Sequence, residues 1–123
     1  MIIGIGVDMC SISRMEKLTD NNRFVERIFT IDERAYAESR GVFKASSFAA
    51  MFAAKEAFMK AIGTGIGPVP FNDIKIMHNE LGKPYYVLLG KAEDMQKQIG
   101  VKSTHLSISH EGDIAIAFVV LEG

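Results

Sequence analysis

The run Phe52-Ala53-Ala54-Lys55-Glu56-Ala57-Phe58-Met59-Lys60, continuing as Ala61-Ile62-Gly63-Thr64-Gly65-Ile66-Gly67, decides how the rest of the chain is read. Alanine, methionine, glutamate and lysine favour a helix, and nothing before Gly63 breaks one. The pattern predicts a helix from about Lys44 to Ile62. Ala50, Ala54, Ala57, Phe58 and Ala61 mark one apolar face, while Phe52, Glu56 and Lys60 recur at i, i+4 and i+8 on another. Gly63 ends the helix. The glycines that follow fit neither a dinucleotide fingerprint nor a P-loop, because both need a strand before the glycines and a helix after them. Two readings of Gly63 to Gly67 stay open: a helix stop with a turn, or a loop whose backbone N–H groups approach a phosphate. Two stay open for Glu56 and Lys60 as well. They are either a surface ion pair contributing about 0.2–0.5 kcal/mol or part of a site.

Working outward, Ile2 to Val7 is short, apolar and β-branched, and reads as a buried strand with glycines at 4 and 6. Asp8 stands at its carboxyl end. Ser11 or Ser13 caps a helix in which Ile12, Met15 and Leu18 recur at helical spacing. Asp20-Asn21-Asn22 breaks it, and Phe24, Val25 and Ile28 mark a second short helix. Thr30-Ile31-Asp32-Glu33 has the form of a capping box and starts a third, running to about Arg40 before Gly41. After Pro68 and Pro70 the chain turns mostly to strands. Ile74–Met77 and Tyr85–Leu89 read as a hairpin around Asn79 to Pro84, and Lys91–Ile99 as an amphipathic helix stopped by Gly100. His105–His110 and Ile114–Leu121 are strands joined by the tight turn Glu111-Gly112-Asp113.

The 123 residues predict one domain over 1–123, with no internal repeat or linker. A net charge of -1 argues against a general nucleic-acid binder, so an acidic partner must meet a local basic patch. No stretch approaches the roughly 20 apolar residues that span a bilayer. The first residues lack the basic start of a secretory signal, so a cytoplasmic, membrane-free protein is expected. The single cysteine, Cys10, excludes an intrachain disulfide and reads as a small buried residue.

Candidate chemistry centres on Asp8 and Glu56. Two carboxylates, one at a strand end and one on a helix, suit a divalent ion that keeps several waters. Lys55 and the glycine loop add to the case. His105, Ser107 and Ser109 share one strand face and His110 the other. No G-x-S-x-G elbow supports a serine hydrolase. Arg14, Lys17, Arg23 and Arg27 sprinkle the early helices with positive charge. They form either a solvated face or a docking surface for an acidic protein, with Phe24 as apolar anchor.

Three blocks occur in order: Ile5-Gly6-Val7-Asp8, the Phe52–Lys60 helix with Gly63-Thr64-Gly65, and His105-Leu106-Ser107-Ile108-Ser109-His110. Together they closely resemble the bacterial holo-[acyl-carrier-protein] synthase family, the short 4'-phosphopantetheinyl transferases, over almost the whole chain. The resemblance implies an α+β subunit, with a small antiparallel-rich sheet against the long helix, and a homotrimer with active sites between subunits. It implies magnesium-dependent transfer of 4'-phosphopantetheine from coenzyme A to a serine of apo acyl carrier protein. That step serves fatty acid biosynthesis and releases adenosine 3',5'-bisphosphate. Asp8 and Glu56 match the metal carboxylates and Lys60 the phosphate-contacting lysine. Gly63, Thr64, Gly65 and His105 match the coenzyme A cleft. Arg14 and the Arg23, Phe24 to Arg27 segment, with Phe52, match the carrier-docking surface. Met51 departs from the pattern, since family members often carry arginine there; Lys44 is the basic residue that could replace it. A rival reading is a module that binds coenzyme A or the carrier without catalysis. Another is a trimer whose Glu56–Lys60 pair is only helix surface.

Overall fold

Local signals account for most of the elements in the computed structural model, which describes all residues from Met1 to Gly123. Strand β1 spans Ile2–Ser11 and runs directly into helix α1, Ile12–Leu18. The Ser11 side chain caps α1 by accepting from the Arg14 N–H at 3.2 Å. Asn21 caps α2 (Asn22–Ile28) through the N–H groups of Arg23 and Phe24. Helix α3, Ile31–Ser39, opens on the expected capping box: Thr30 accepts from Glu33, and Glu33 accepts from Thr30. Helix α4 is Lys44–Ile62, as its composition predicts, and ends on Gly63 in the left-handed region at φ 82°.

The second half supplies strands β2 (Ile74–His78) and β3 (Pro84–Leu88), helix α5 (Gly90–Gln98), and strands β4 (Ser103–Glu111) and β5 (Ile114–Glu122). β2 and β3 pair antiparallel as the predicted hairpin. β1, β5 and β4 form a second antiparallel sheet in that order, with Asp8 opposite Ala117 and Ala117 opposite Ile108. The α+β class and the antiparallel sheet against a long helix are as expected.

Helix α4 lies on the inner face of the three-stranded sheet, and β1 lies against it closely. A Cβ at Gly4 would sit 2.0 Å from the Ala61 carbonyl oxygen, and one at Gly6 2.0 Å from that of Ala57. Only glycine fits at such a backbone approach. This corrects the expectation of a strand buried along its length. The glycine face meets the helix, while Ile5, Val7 and Met9 point outward and are 60%, 47% and 62% exposed. Phe118 and Ile114 of β5 are also exposed on the sheet.

Buried side chains surround α4 more widely than the predicted stripe. Phe48, Met51, Ala53 and Met59 join Ala54, Ala57, Phe58 and Ala61 in the core. Lys55 is fully buried too. Its ammonium donates to Glu33 Oε1 at 2.9 Å and to the carbonyls of Phe71 and Ile74 at 2.9 and 2.8 Å. Glu33, also fully buried, accepts from the Ile76 N–H at 2.8 Å through its other oxygen. One ion pair thus ties α3, α4 and the start of β2 together. Losing one partner of such a pair costs about 3–5 kcal/mol, because the other charge is stranded.

Gly6→Ala should destabilise the protein by about 3 kcal/mol or more, since backbone rather than a side-chain tip must move. Urea unfolding followed by circular dichroism measures it, and a midpoint equal to that of the parent would contradict the close approach.

Candidate active site

The glycine face of β1 carries Asp8 to the turn of α4 that bears Glu56. Each strand step of two residues keeps the same face, so Asp8 follows Gly4 and Gly6 toward the helix. Asp8 and Glu56 are both half-buried. They lie close enough to share a hydrogen bond when one of them is protonated. Burial, then the Asp8 charge, then that shared hydrogen bond push the Glu56 carboxyl from 4.5 up to about 7. Lys60 and Arg14 act against the shift, which places both cations near the pair.

Lys60 does not form the surface pair with Glu56 that its spacing suggests. Its ammonium donates instead to Asp8 Oδ1 at 3.3 Å and to the Val7 carbonyl at 3.2 Å. The helix-surface reading of these two residues therefore fails: one carboxylate comes from the strand, one from the helix, and the lysine bridges back to the strand. Lys55, counted with the site in the sequence, belongs to the core and takes no part. Cys10 is buried beside the pair, and burial first, then neighbouring acids, raise its thiol to about 11. It is not a nucleophile at neutral pH.

Gly63, Thr64 and Gly65 are exposed directly after the turn that carries Lys60, and Gly63, Gly65 and Gly67 have positive φ. Arg14 is exposed on α1, and Arg23 and Arg27 are exposed on α2. Phe24 and Phe52 are less free than a docking anchor requires. Phe52 stacks on Phe71 with centroids 5.4 Å apart and lies 6.2 Å from Phe24. Both are half-buried. Met51 faces the core, 1% exposed. Lys44 pairs with Glu38 at 2.7 Å at the far end of α4, about 24 Å along the helix from Lys60. His105 is not brought to the acid pair within the chain. It points outward from β4 and meets Glu122 at 3.0 Å.

The sequence reading missed a second concavity. A cleft of about 350 Å³ opens between α3, the start of α4, the β2–β3 turn and β4, with Tyr36, Arg40, Ser47, His78 and His110 in its wall. The Tyr36 and His78 rings stack 3.7 Å apart, and the Arg40 guanidinium sits 5.8 Å from the centroids of both Tyr36 and Phe43. His78 Nδ1 is buried without a hydrogen-bond partner, and burial followed by Arg40 lowers its basicity. Two signals were available: Tyr36 on α3 with Arg40 four residues on at its C-cap, and His110 facing away from His105. The cleft lies at the β4 edge of the sheet, whereas the acid pair lies at the β1 edge.

No third histidine, cysteine, aspartate or glutamate joins Asp8 and Glu56 to form a metal cluster. The donor set still fits a hard divalent ion. Two carboxylate groups repel each other, and a cation between them removes the repulsion that raises Glu56. Magnesium is commonly held by one or two carboxylates, with waters and substrate phosphate oxygens at its other positions.

Residues 4–119 match the family model of the 4'-phosphopantetheinyl transferase superfamily, and the chain belongs to that family. It is 47% identical over 123 residues to the holo-[acyl-carrier-protein] synthase of Clostridium beijerinckii, covering 99% of this chain and 98% of that one. The crystal structure of the Neisseria meningitidis holo-[acyl-carrier-protein] synthase superposes with a TM-score of 0.88 at 41% identity, over the whole of both chains. That of the Helicobacter pylori synthase in complex with coenzyme A gives 0.83 at 36% identity, covering 96% of this chain and 99% of that one.

The raised Glu56 carboxyl has a pH consequence for the metal-free protein. Unfolded, it ionises near 4.5; folded, near 7. Between those values the folded state holds the extra proton, so this group's contribution to stability falls as pH rises through that window. Thermal melting in chelator should therefore decline more steeply from pH 4.5 to 7 for the parent than for Glu56→Gln. Equal slopes would contradict the upward shift of the Glu56 carboxyl.

Proposed function

We propose that this protein is a magnesium-dependent holo-[acyl-carrier-protein] synthase. It transfers 4'-phosphopantetheine from coenzyme A to a serine hydroxyl of apo acyl carrier protein and leaves adenosine 3',5'-bisphosphate. The observation that carries this reading is the convergence of Asp8, Glu56 and Lys60 from β1 and α4. The names of the full-length relatives, and the coenzyme A bound to the Helicobacter pylori relative, support it.

In the proposed reaction the serine oxygen bonds to the phosphorus that carries the pantetheine arm. The bond from that phosphorus to the bisphosphate oxygen breaks, and the serine proton is released. Phosphoryl transfer of this kind depends on positioning and charge neutralisation. Asp8 and Glu56 would hold magnesium, which supplies charge neutralisation at the diphosphate when bound. The Lys60 ammonium, already 3.3 Å from Asp8, turns from that carboxylate toward a phosphate oxygen and offsets developing charge. The exposed loop at Gly63, Thr64 and Gly65 offers backbone N–H groups beside it. Arg14, Arg23 and Arg27 present positive charge to an acidic carrier, over Phe24 and Phe52, which pack mainly within the chain.

The active unit is proposed to be a homotrimer of single-domain subunits, working in the cytoplasm. Two observations support assembly. The outer sheet face exposes Ile5, Val7, Met9, Ile114 and Phe118, a continuous apolar surface of the kind that marks an interface. The Arg40–His78–His110 cleft and the outward His105 lie away from the acid pair of their own chain. A neighbouring subunit could bring both to a shared coenzyme A site.

Mass spectrometry tests the reaction. Apo carrier incubated with the protein, coenzyme A and magnesium should gain the mass of the phosphopantetheine arm. Asp8→Asn, Glu56→Gln and Lys60→Met should each lower kcat by about 100-fold or more, with far-ultraviolet circular dichroism unchanged. Coenzyme A binding that ignores chelator, with no covalent product, would favour the non-catalytic module instead.

Sedimentation tests the assembly. The parent should run at three times 13.5 kDa, and Phe118→Asp should run as a monomer with little transfer activity. A parent that sediments as an active monomer would end the trimer reading.

A further inference from the structure

The β4–β5 turn makes a contact that the transfer reaction does not use. Asp113 grips the first turn of α1 from outside the helix. Its Oδ1 accepts from the Ser13 N–H at 2.8 Å, and its Oδ2 accepts from the hydroxyls of Ser11 and Ser13, each at 2.8 Å. Its own carbonyl accepts from the Ile12 N–H at 2.7 Å. Ser11 in turn accepts from the Arg14 N–H at 3.2 Å. Two orphan N–H groups of the helix start, at Ile12 and Ser13, are therefore satisfied by a residue a hundred positions away. The capping serine that holds the third is itself held by the same carboxylate.

This clamp matters because of what flanks it. Ser11 is three residues beyond Asp8 on β1, and Arg14 is three residues into α1, where its charge reaches Glu56. A seven-residue helix has little stability of its own and takes its direction from its ends. Ile12, Met15 and Leu18 pack its inner side on the core. Asp113 fixes its near part, and with it the place at which Arg14 meets solvent.

We propose that Asp113 is a positioning residue for carrier binding. By clamping the start of α1, it aims Arg14 at the acidic surface of the docking protein, next to the Asp8–Glu56 pair. The proposal rests on the reading of α1 as part of the docking surface. The hydrogen bonds of Asp113 hold its carboxyl below the usual carboxylate range, so the clamp stays charged at neutral pH.

Steady-state kinetics with apo carrier, coenzyme A and magnesium separate this role from a purely structural one. Asp113→Ala should raise the KM for carrier about five-fold, the scale of a lost helix cap read through binding. The KM for coenzyme A should stay within about two-fold, and kcat should change less than the KM for carrier, because Arg14 reaches Glu56 only through its charge. Asp113→Asn keeps the acceptor for the Ser13 N–H and should recover part of the loss. The defect should shrink as salt is raised, since salt screens the Arg14 charge it acts through. Arg14→Ala serves as the reference. If Arg14→Ala weakens carrier binding and Asp113→Ala does not, the positioning role is wrong and the docking surface stands. If neither changes the KM for carrier, the docking reading fails and the proposal fails with it. A lower kcat and melting temperature for Asp113→Ala, with KM unchanged, would reduce Asp113 to a structural cap.

Discussion

The backbone of β1 lies directly against the backbone of α4, and this contact makes the site possible. Gly4 meets Ala61 and Gly6 meets Ala57, so the strand runs against the direction of the helix. Two residues of strand advance about 6.7 Å, and four residues of helix advance about 6 Å. The two repeats stay nearly in step, and Asp8 arrives beside the turn that bears Glu56. Helical side chains lean toward the helix N-terminus, which brings the Lys60 ammonium back to Asp8 and Val7. A larger residue at Gly4 or Gly6 would lift the strand and separate the acids.

Lys55 and Glu56 are neighbours with opposite duties. Successive residues on a helix point about 100° apart, so one enters the core while the other faces the β1 edge. Lys55 is fully neutralised by Glu33 and two carbonyls. That network locks the rotation of α4 against α3 and β2, and so sets the direction of Glu56. Beside it, Glu56 is incompletely compensated. It faces Asp8, with Lys60 and Arg14 only partly offsetting the repulsion. The fold fully pairs one charge and leaves its neighbour only partly compensated.

The sheet's two faces divide the remaining work. The inner face packs on α4 through small residues, including Ala115 and Ala117, which are fully buried. Val119 and Leu121 are fully buried on that face as well, while the outer face carries Ile5, Val7, Met9 and Phe118. This arrangement leaves a run of apolar side chains exposed on the outer face. It also separates the acid pair at one edge from the Arg40–His78–His110 cleft at the other.

Much of this was legible in the order of residues. The capping box at Thr30 and Glu33, the span of α4, its stop at Gly63, and the β2–β3 and β4–β5 hairpins follow from local rules, because capping and turn chemistry act within a few residues. The three sequence blocks singled out Asp8, Glu56 and Lys60, and packing brings these three side chains together. Other features depended on contacts between distant segments. Local spacing paired Lys60 with Glu56, but the packed strand gave it Asp8. Lys55 looked like a member of the site until Glu33 claimed it from α3. Gly4 and Gly6 read as interruptions of an apolar strand, whereas the helix behind them made them the reason for its placement. The cleft around Tyr36 and His78 needed α3 and β2 to meet. Sequence marked most of the elements, to within a residue or two at their ends, and the residue types that could carry chemistry; tertiary packing decided which charges face one another, because burial and distance set electrostatic partners and neither can be read along a chain.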